Sequence, residues 1–156
     1  MRSRKLYLVL IVMALMALVL SGCATKATGG GWIPSAYVEG EKATFGFVAM
    51  LDLPKEQEND ILPQMMTGLP AKGNLQIVDH GGDGFKFHAS VEGIVQSMSE
   101  DMLTFNGVGL LDGEERHVTV NASDFDKDGL WDYIEVWVMG EYYNKGVLQG
   151  GNINIR

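Results

Sequence analysis

The sequence predicts an all-β chain: one antiparallel sandwich or partly closed barrel of about seven or eight short strands, behind an N-terminal signal helix. Three observations carry this. Apolar residues recur at every second position over short runs separated by Gly, Asp and Asn, the pattern of half-buried antiparallel strands. Glycine makes up 20 of 156 residues, nearly twice an average share, which suits many turns and bulges. No segment beyond the first 23 residues keeps a long helical period.

The N-terminal element reads as a signal. Arg2, Arg4 and Lys5 precede an apolar run of 15 residues from Leu6 to Leu20. A basic start, a short apolar core and small residues before a cut define a secretory signal. The run is also shorter than the roughly 20 residues a spanning helix needs. The following "LSGC", Leu20 to Cys23, resembles the lipobox of bacterial lipoproteins. That resemblance implies a signal peptide over residues 1–22 and a diacylglycerol on Cys23, which anchors the chain to a membrane. Ala24 follows the cysteine in place of the aspartate that often marks inner-membrane retention in Gram-negative lipoproteins. In such an organism it points to the outer membrane.

Composition narrows the partners. Cys23 is the single cysteine, so its modification leaves no thiol for a disulfide, a zinc site or a nucleophile. The formal net charge is −8, and loss of Arg2, Arg4 and Lys5 with the signal takes it to about −11. So acidic a domain has no electrostatic footprint for nucleic acid, and an anionic membrane surface repels it, leaving anchorage to the lipid.

Residues 23–31, small, polar and glycine-rich, read as a flexible tether, with the β domain over 32–156. The alternating runs follow in order. "KATFGFVAM" places Ala43, Phe45, Phe47 and Ala49 on one face, "NLQIVDH" places Leu75 and Ile77, and "FKFHASVEG" places Phe85, Phe87, Ala89 and Val91. "MLTFNGVGLL" has Leu103 and Phe105 in phase before a glycine bulge near Gly107. "RHVTVNA" and "YIEVWVMG" contribute Val118, Val120, Ile134, Val136 and Val138, and a last strand runs through Ile153 and Ile155. Asp52 to Lys72 breaks the rhythm with three of the four prolines. Connections this long are uncommon in compact domains. Its Ile61, Leu62, Met65 and Met66 read as a cap on the core or as an adaptable contact surface.

The acidic stretch "DFDKDGLWDY" is the main chemical motif. Asp124, Asp126 and Asp128 occupy positions 1, 3 and 5, Gly129 permits a sharp turn at position 6, the Leu130 carbonyl sits at position 7, and Asp132 closes at position 9. Calcium takes six to eight oxygen ligands, and spaced carboxylates on a turn supply them. Glu135 falls at the twelfth position but lies in a strand pattern, so an EF-hand is excluded. The stretch resembles the D-x-D-x-D-G-x-x-D calcium turns between strands of integrin-type propeller repeats. It is expected to hold a structural Ca2+; the alternative is a solvated acidic hairpin.

Other features carry less chemistry. His80, His88 and Asp83 lie near one another in "DHGGDGFKFH", but nothing fixes zinc geometry, and they read as polar residues at a hairpin edge. No serine-hydrolase, zincin or phosphate-loop motif occurs. Scattered carboxylates leave an envelope hydrolase as the rival reading. Trp131 and Tyr143, on a shared exposed face, would stack on a sugar or an envelope protein; ordinary packing is the alternative.

The chain beyond the signal also resembles the bacterial post-COAP domain family. The likeness is carried by "GGGWIPS" (Gly29 to Ser35), "ATFGFVA", "GNLQIVDH" (Gly73 to His80), "LTFNGVG", the acidic loop and "GVLQGGNINIR" (Gly146 to Arg156). It implies one extracytoplasmic β domain at the cell envelope and supplies no catalytic residues. Family members carry a D-N-G-E-P-G-x-x-D-like turn where this chain has Asp124 to Asp132. The two end aspartates match, while Asp126 and Asp128 replace a glycine and a proline, so the turn itself is expected to be structural.

Overall fold

The computed structural model describes residues 26–52, 68–96, 101–125 and 131–156. The signal, Cys23 and Asp126, Asp128 and Leu130 of the acidic stretch lie outside the described residues. Within them the chain forms nine strands and no helix: β1 (Lys26–Pro34), β2 (Lys42–Leu51), β3 (Leu69–Asp79), β4 (Phe85–Gln96), β5 (Met102–Leu111), β6 (Glu114–Ser123), β7 (Tyr133–Val138), β8 (Tyr142–Val147) and β9 (Gly150–Ile155). All neighbours are antiparallel, in the order β8-β7-β6-β5-β4-β3-β2-β1-β9. The sheet curls into a half-barrel, the partly closed form of the expected fold.

The alternating residues named above line its inside. Phe45, Phe47, Leu75, Ile77, Phe87, Leu103, Phe105, Val120, Ile134, Val136, Ile153 and Ile155 are buried in one core. Phe47 and Phe105 meet across it with ring centroids 5.1 Å apart. Each such side chain removed from water contributes roughly 1.5–3 kcal/mol, so the concave face drives the curl. Two bulges help to bend the strands. One adds Glu92 to β4 between Val91 and Gly93, opposite Gly107 and Asn106. The bulge expected at Gly107 therefore belongs to the facing strand. The other lies in β3 between Pro70 and Asn74.

Two elements differ from the sequence reading. The stretch read as a flexible tether over 23–31 is strand from Lys26 onward, in the sheet between β2 and β9. Its glycines serve close packing. A Cβ on Gly29 would overlap the Phe47 ring, and one on Gly31 would overlap the Gly150 carbonyl. The second is β8, whose inward residues are Tyr142, Asn144 and Gly146, giving no apolar alternation.

Candidate functional site

A sheet that curls without closing leaves edge amides to satisfy. Just past the end of β9, Arg156 donates its N–H to the Lys26 carbonyl of β1 and accepts from Lys26 in return. By the two-residue period, the Ile153 and Ile155 N–H groups point the other way, off the sheet edge. The ends of the acidic stretch meet them there. Asp132 Oδ2 accepts from Ile153 N at 2.6 Å and Asp132 Oδ1 from Phe125 N at 3.1 Å. Asp124 Oδ2 accepts from Ile155 N at 3.0 Å. Both aspartates are buried. The Asp132 carbonyl also accepts from Leu148 N, and Asp124 N donates to the Asp101 carbonyl. Two carboxylates thus stand in for a missing strand, tying the β6–β7 corner to β9.

A third buried carboxylate joins β8 to the ends of β1 and β3. Asp79 accepts from Gly81 N through Oδ1, and from Ala36 N and the Tyr142 hydroxyl through Oδ2, at 2.9, 2.9 and 3.0 Å. Asn144 Nδ2 donates to the Tyr142 oxygen and to the Pro34 carbonyl. Tyr142 stacks on Phe85 with centroids 4.4 Å apart. Burial pushes the Asp79 carboxyl upward, but hydrogen bonds from Ser35, Gly81, Ala36 and Tyr142 outweigh it and hold the group below the usual carboxylate range. Burial raises the Tyr142 hydroxyl well above an ordinary tyrosine; Asn144 opposes this and the Asp79 charge adds to it. Asp79 is therefore a structural clasp. His88 lies outward on β4 opposite Gln76, and His80 sits beside Thr44, so the two do not converge on a metal.

The convex face of β5–β8 has a different character. Along β7, Ile134, Val136 and Val138 point inward, while Tyr133, Glu135 and Trp137 point out. The hairpin to β8 turns through Met139, Gly140 and Glu141, with Gly140 at φ 78°. Its register sets Trp137 directly opposite Tyr143 and Glu135 opposite Lys145. Trp137 is 54% exposed and Tyr143 50%. The polar side chains beside them are linked. Thr104 donates to Asn121, Asn121 Nδ2 donates to Glu135 Oε2 at 3.0 Å, and the Tyr143 hydroxyl donates to Glu135 Oε1 at 2.7 Å. The bonds from Asn121 and Tyr143 hold the Glu135 carboxyl below its ordinary range, against partial desolvation. Lys145 Nζ lies 5.8 Å from the Tyr143 ring centroid.

Of the two aromatic residues singled out from sequence, both are exposed, Trp131 at 73%. They do not form the pair. Tyr143 faces Trp137, while Trp131 lies six residues back along the chain, about 20 Å if extended. The hairpin signal "VMGEYY" fixes this register, and reading β8 as a strand would have found it.

No protein-family model, curated protein or solved structure matches this chain.

Proposed function

We propose that the chain is a lipid-anchored binding module of the bacterial cell envelope, whose convex β5–β8 face takes a glycan. The observation that carries this is the Trp137–Tyr143 pair, two half-exposed rings side by side above hydrogen-bonded Thr104, Asn121 and Glu135. Aromatic faces stack on the C–H faces of sugar rings, and fixed amide and carboxylate groups accept and donate to hydroxyls. The hydrolase reading fares less well. The buried carboxylates of Asp79, Asp124 and Asp132 hold backbone amides or a tyrosine rather than face one another across a cleft. Among the described residues, those lining the concavities at Lys26, Thr28, Asn154 and Arg156 and at Thr44, Gly46, Gln76 and Val78 include no acid pair.

Anchorage through Cys23, and an outer-membrane location in a Gram-negative cell, are part of this proposal, supported by the lipobox-like "LSGC" and Ala24. Likeness to the post-COAP domains supports the same compartment. A structural Ca2+ within Asp124 to Asp132 also belongs to it. Asp124 and Asp132 bring carboxylate oxygens to both ends of the stretch, and a carboxylate that accepts an amide keeps further lone pairs for a hard cation.

The test of the binding function is co-sedimentation of the full chain, in detergent, with insoluble peptidoglycan and with chitin. We expect retention that Trp137→Ala and Tyr143→Ala each reduce at least tenfold while both variants still unfold in one cooperative transition. Undiminished retention of both variants, or none for the parent chain, would remove the glycan from the proposal. Release of soluble sugar during incubation would instead favour the hydrolase.

A further inference from the structure

The start of β1 lies very close to the cysteine read as the lipid site. Lys26 already exchanges backbone hydrogen bonds with Arg156, at 3.0 and 2.9 Å. Only Ala24 and Thr25 separate it from Cys23, and three residue steps span at most about 10 Å. A lipid held on so short a link brings this end of the half-barrel down to the headgroup layer.

The same end presents apolar side chains to solvent. The clasp makes the connection: Lys26 pairs with Arg156, Asp124 holds the neighbouring Ile155, and Asp132, which holds Ile153, also takes the Phe125 amide. Trp131 precedes Asp132 and is the most exposed large apolar side chain described, at 73%. Met102 starts β5 beside Ser123 and is 40% exposed. With strands about 4.8 Å apart and 3.3 Å per residue, Trp131 lies on the order of 15 Å from Lys26. Tryptophan favours the bilayer interface, where its ring is half solvated and its N–H stays wet, and lysine or arginine beside it can reach phosphate.

We propose that this end of the half-barrel rests on the phospholipid bilayer, with Trp131 inserted among the headgroups beside Lys26 and Arg156. The Trp137–Tyr143 pair, at the opposite end of β7, then faces away from the membrane. The proposal rests on lipidation of Cys23.

The test uses the full lipidated chain in phosphatidylcholine vesicles whose acyl chains carry bromine near the headgroup, a contact quencher of tryptophan. Mass spectrometry of the N-terminal peptide establishes the lipid independently. We expect quenching that Trp131→Phe lowers at least threefold and Trp137→Phe leaves intact. A lipidated, vesicle-bound chain whose quenching is absent, or survives Trp131→Phe, overturns the orientation while leaving the anchor in place. A chain without lipid on Cys23 overturns both.

Discussion

The Ile153 amide donates to Asp132 Oδ2 at 2.6 Å, across 21 residues of sequence. Ile153 belongs to the last strand and Asp132 to the corner before β7, so one side chain closes a gap that no backbone ladder spans. Its other oxygen takes the Phe125 amide, and Asp124 repeats the arrangement at Ile155. An open β9 edge would offer a template for aggregation, and the two carboxylates cover it.

Replacing Asp132 is therefore costly. Asp132→Ala removes two hydrogen bonds to a charged acceptor, each contributing about 1.5–3 kcal/mol, and strands amides in a buried seam. We expect a loss of roughly 3–5 kcal/mol in denaturant unfolding, with Asp132→Asn intermediate because one carbonyl oxygen remains. A change below about 1 kcal/mol would mean that the seam is held elsewhere.

Acid and alkali should act on the second clasp from opposite sides. The folded Asp79 carboxyl lies below its usual range, so between its folded value and the unfolded value near 3.9 the unfolded chain binds the extra proton. Its contribution is present above pH ~4 and falls away as pH drops through the folded value; Asp79→Asn should flatten that slope. The Tyr142 hydroxyl is raised, so its contribution is complete below the unfolded value near 10 and declines as pH climbs above it. Tyr142→Phe should remove that alkaline decline. Unfolding free energies measured from pH 2 to 11 read both.

A pair of glycine substitutions separates a strand from a tether. A Cβ at Gly31 would strike the Gly150 carbonyl, a backbone atom that moves only with β9, whereas at Gly46 nothing lies within 4 Å. Gly31→Ala should cost about 1–3 kcal/mol as overpacking does, and Gly46→Ala should be neutral or slightly stabilising. Equal, silent outcomes would return residues 26–31 to a tether.

These contrasts show what the sequence made legible. Strands such as β2 and β6 announced themselves because Phe45 and Phe47, or Val118 and Val120, alternate against a wet convex face. β1 and β8 did not. At Gly29 and Gly31 neighbouring groups leave no room for side chains, and β8 turns Tyr142 and Asn144 into a polar seam, so both lack the apolar period. The acidic loop was visible as a motif, but the partners of its end aspartates lie 21 and 31 residues away. Asp79 meets Tyr142 across 63 residues. Local spacing carries no record of such pairings; they follow from the curl of the whole sheet.

Calcium, if bound by the folded chain alone, adds stability by mass action, about 2.7 kcal/mol at a hundredfold excess over its dissociation constant. We expect chelator-treated full chain to gain roughly 10 °C in midpoint on millimolar calcium, and Asp126→Ala/Asp128→Ala to lose the gain. An unchanged midpoint would make the stretch a clasp without a cation.

The most direct measurement is amide hydrogen exchange at Ile153 and Ile155 in the metal-free chain. Both N–H groups point away from β1, so an uncovered edge would let them exchange as fast as a solvent-facing loop. We expect them to be protected as strongly as the paired amides of β9, and Ile153 to lose that protection in Asp132→Ala. Rapid exchange at both positions in the unaltered chain would contradict the aspartate seam outright.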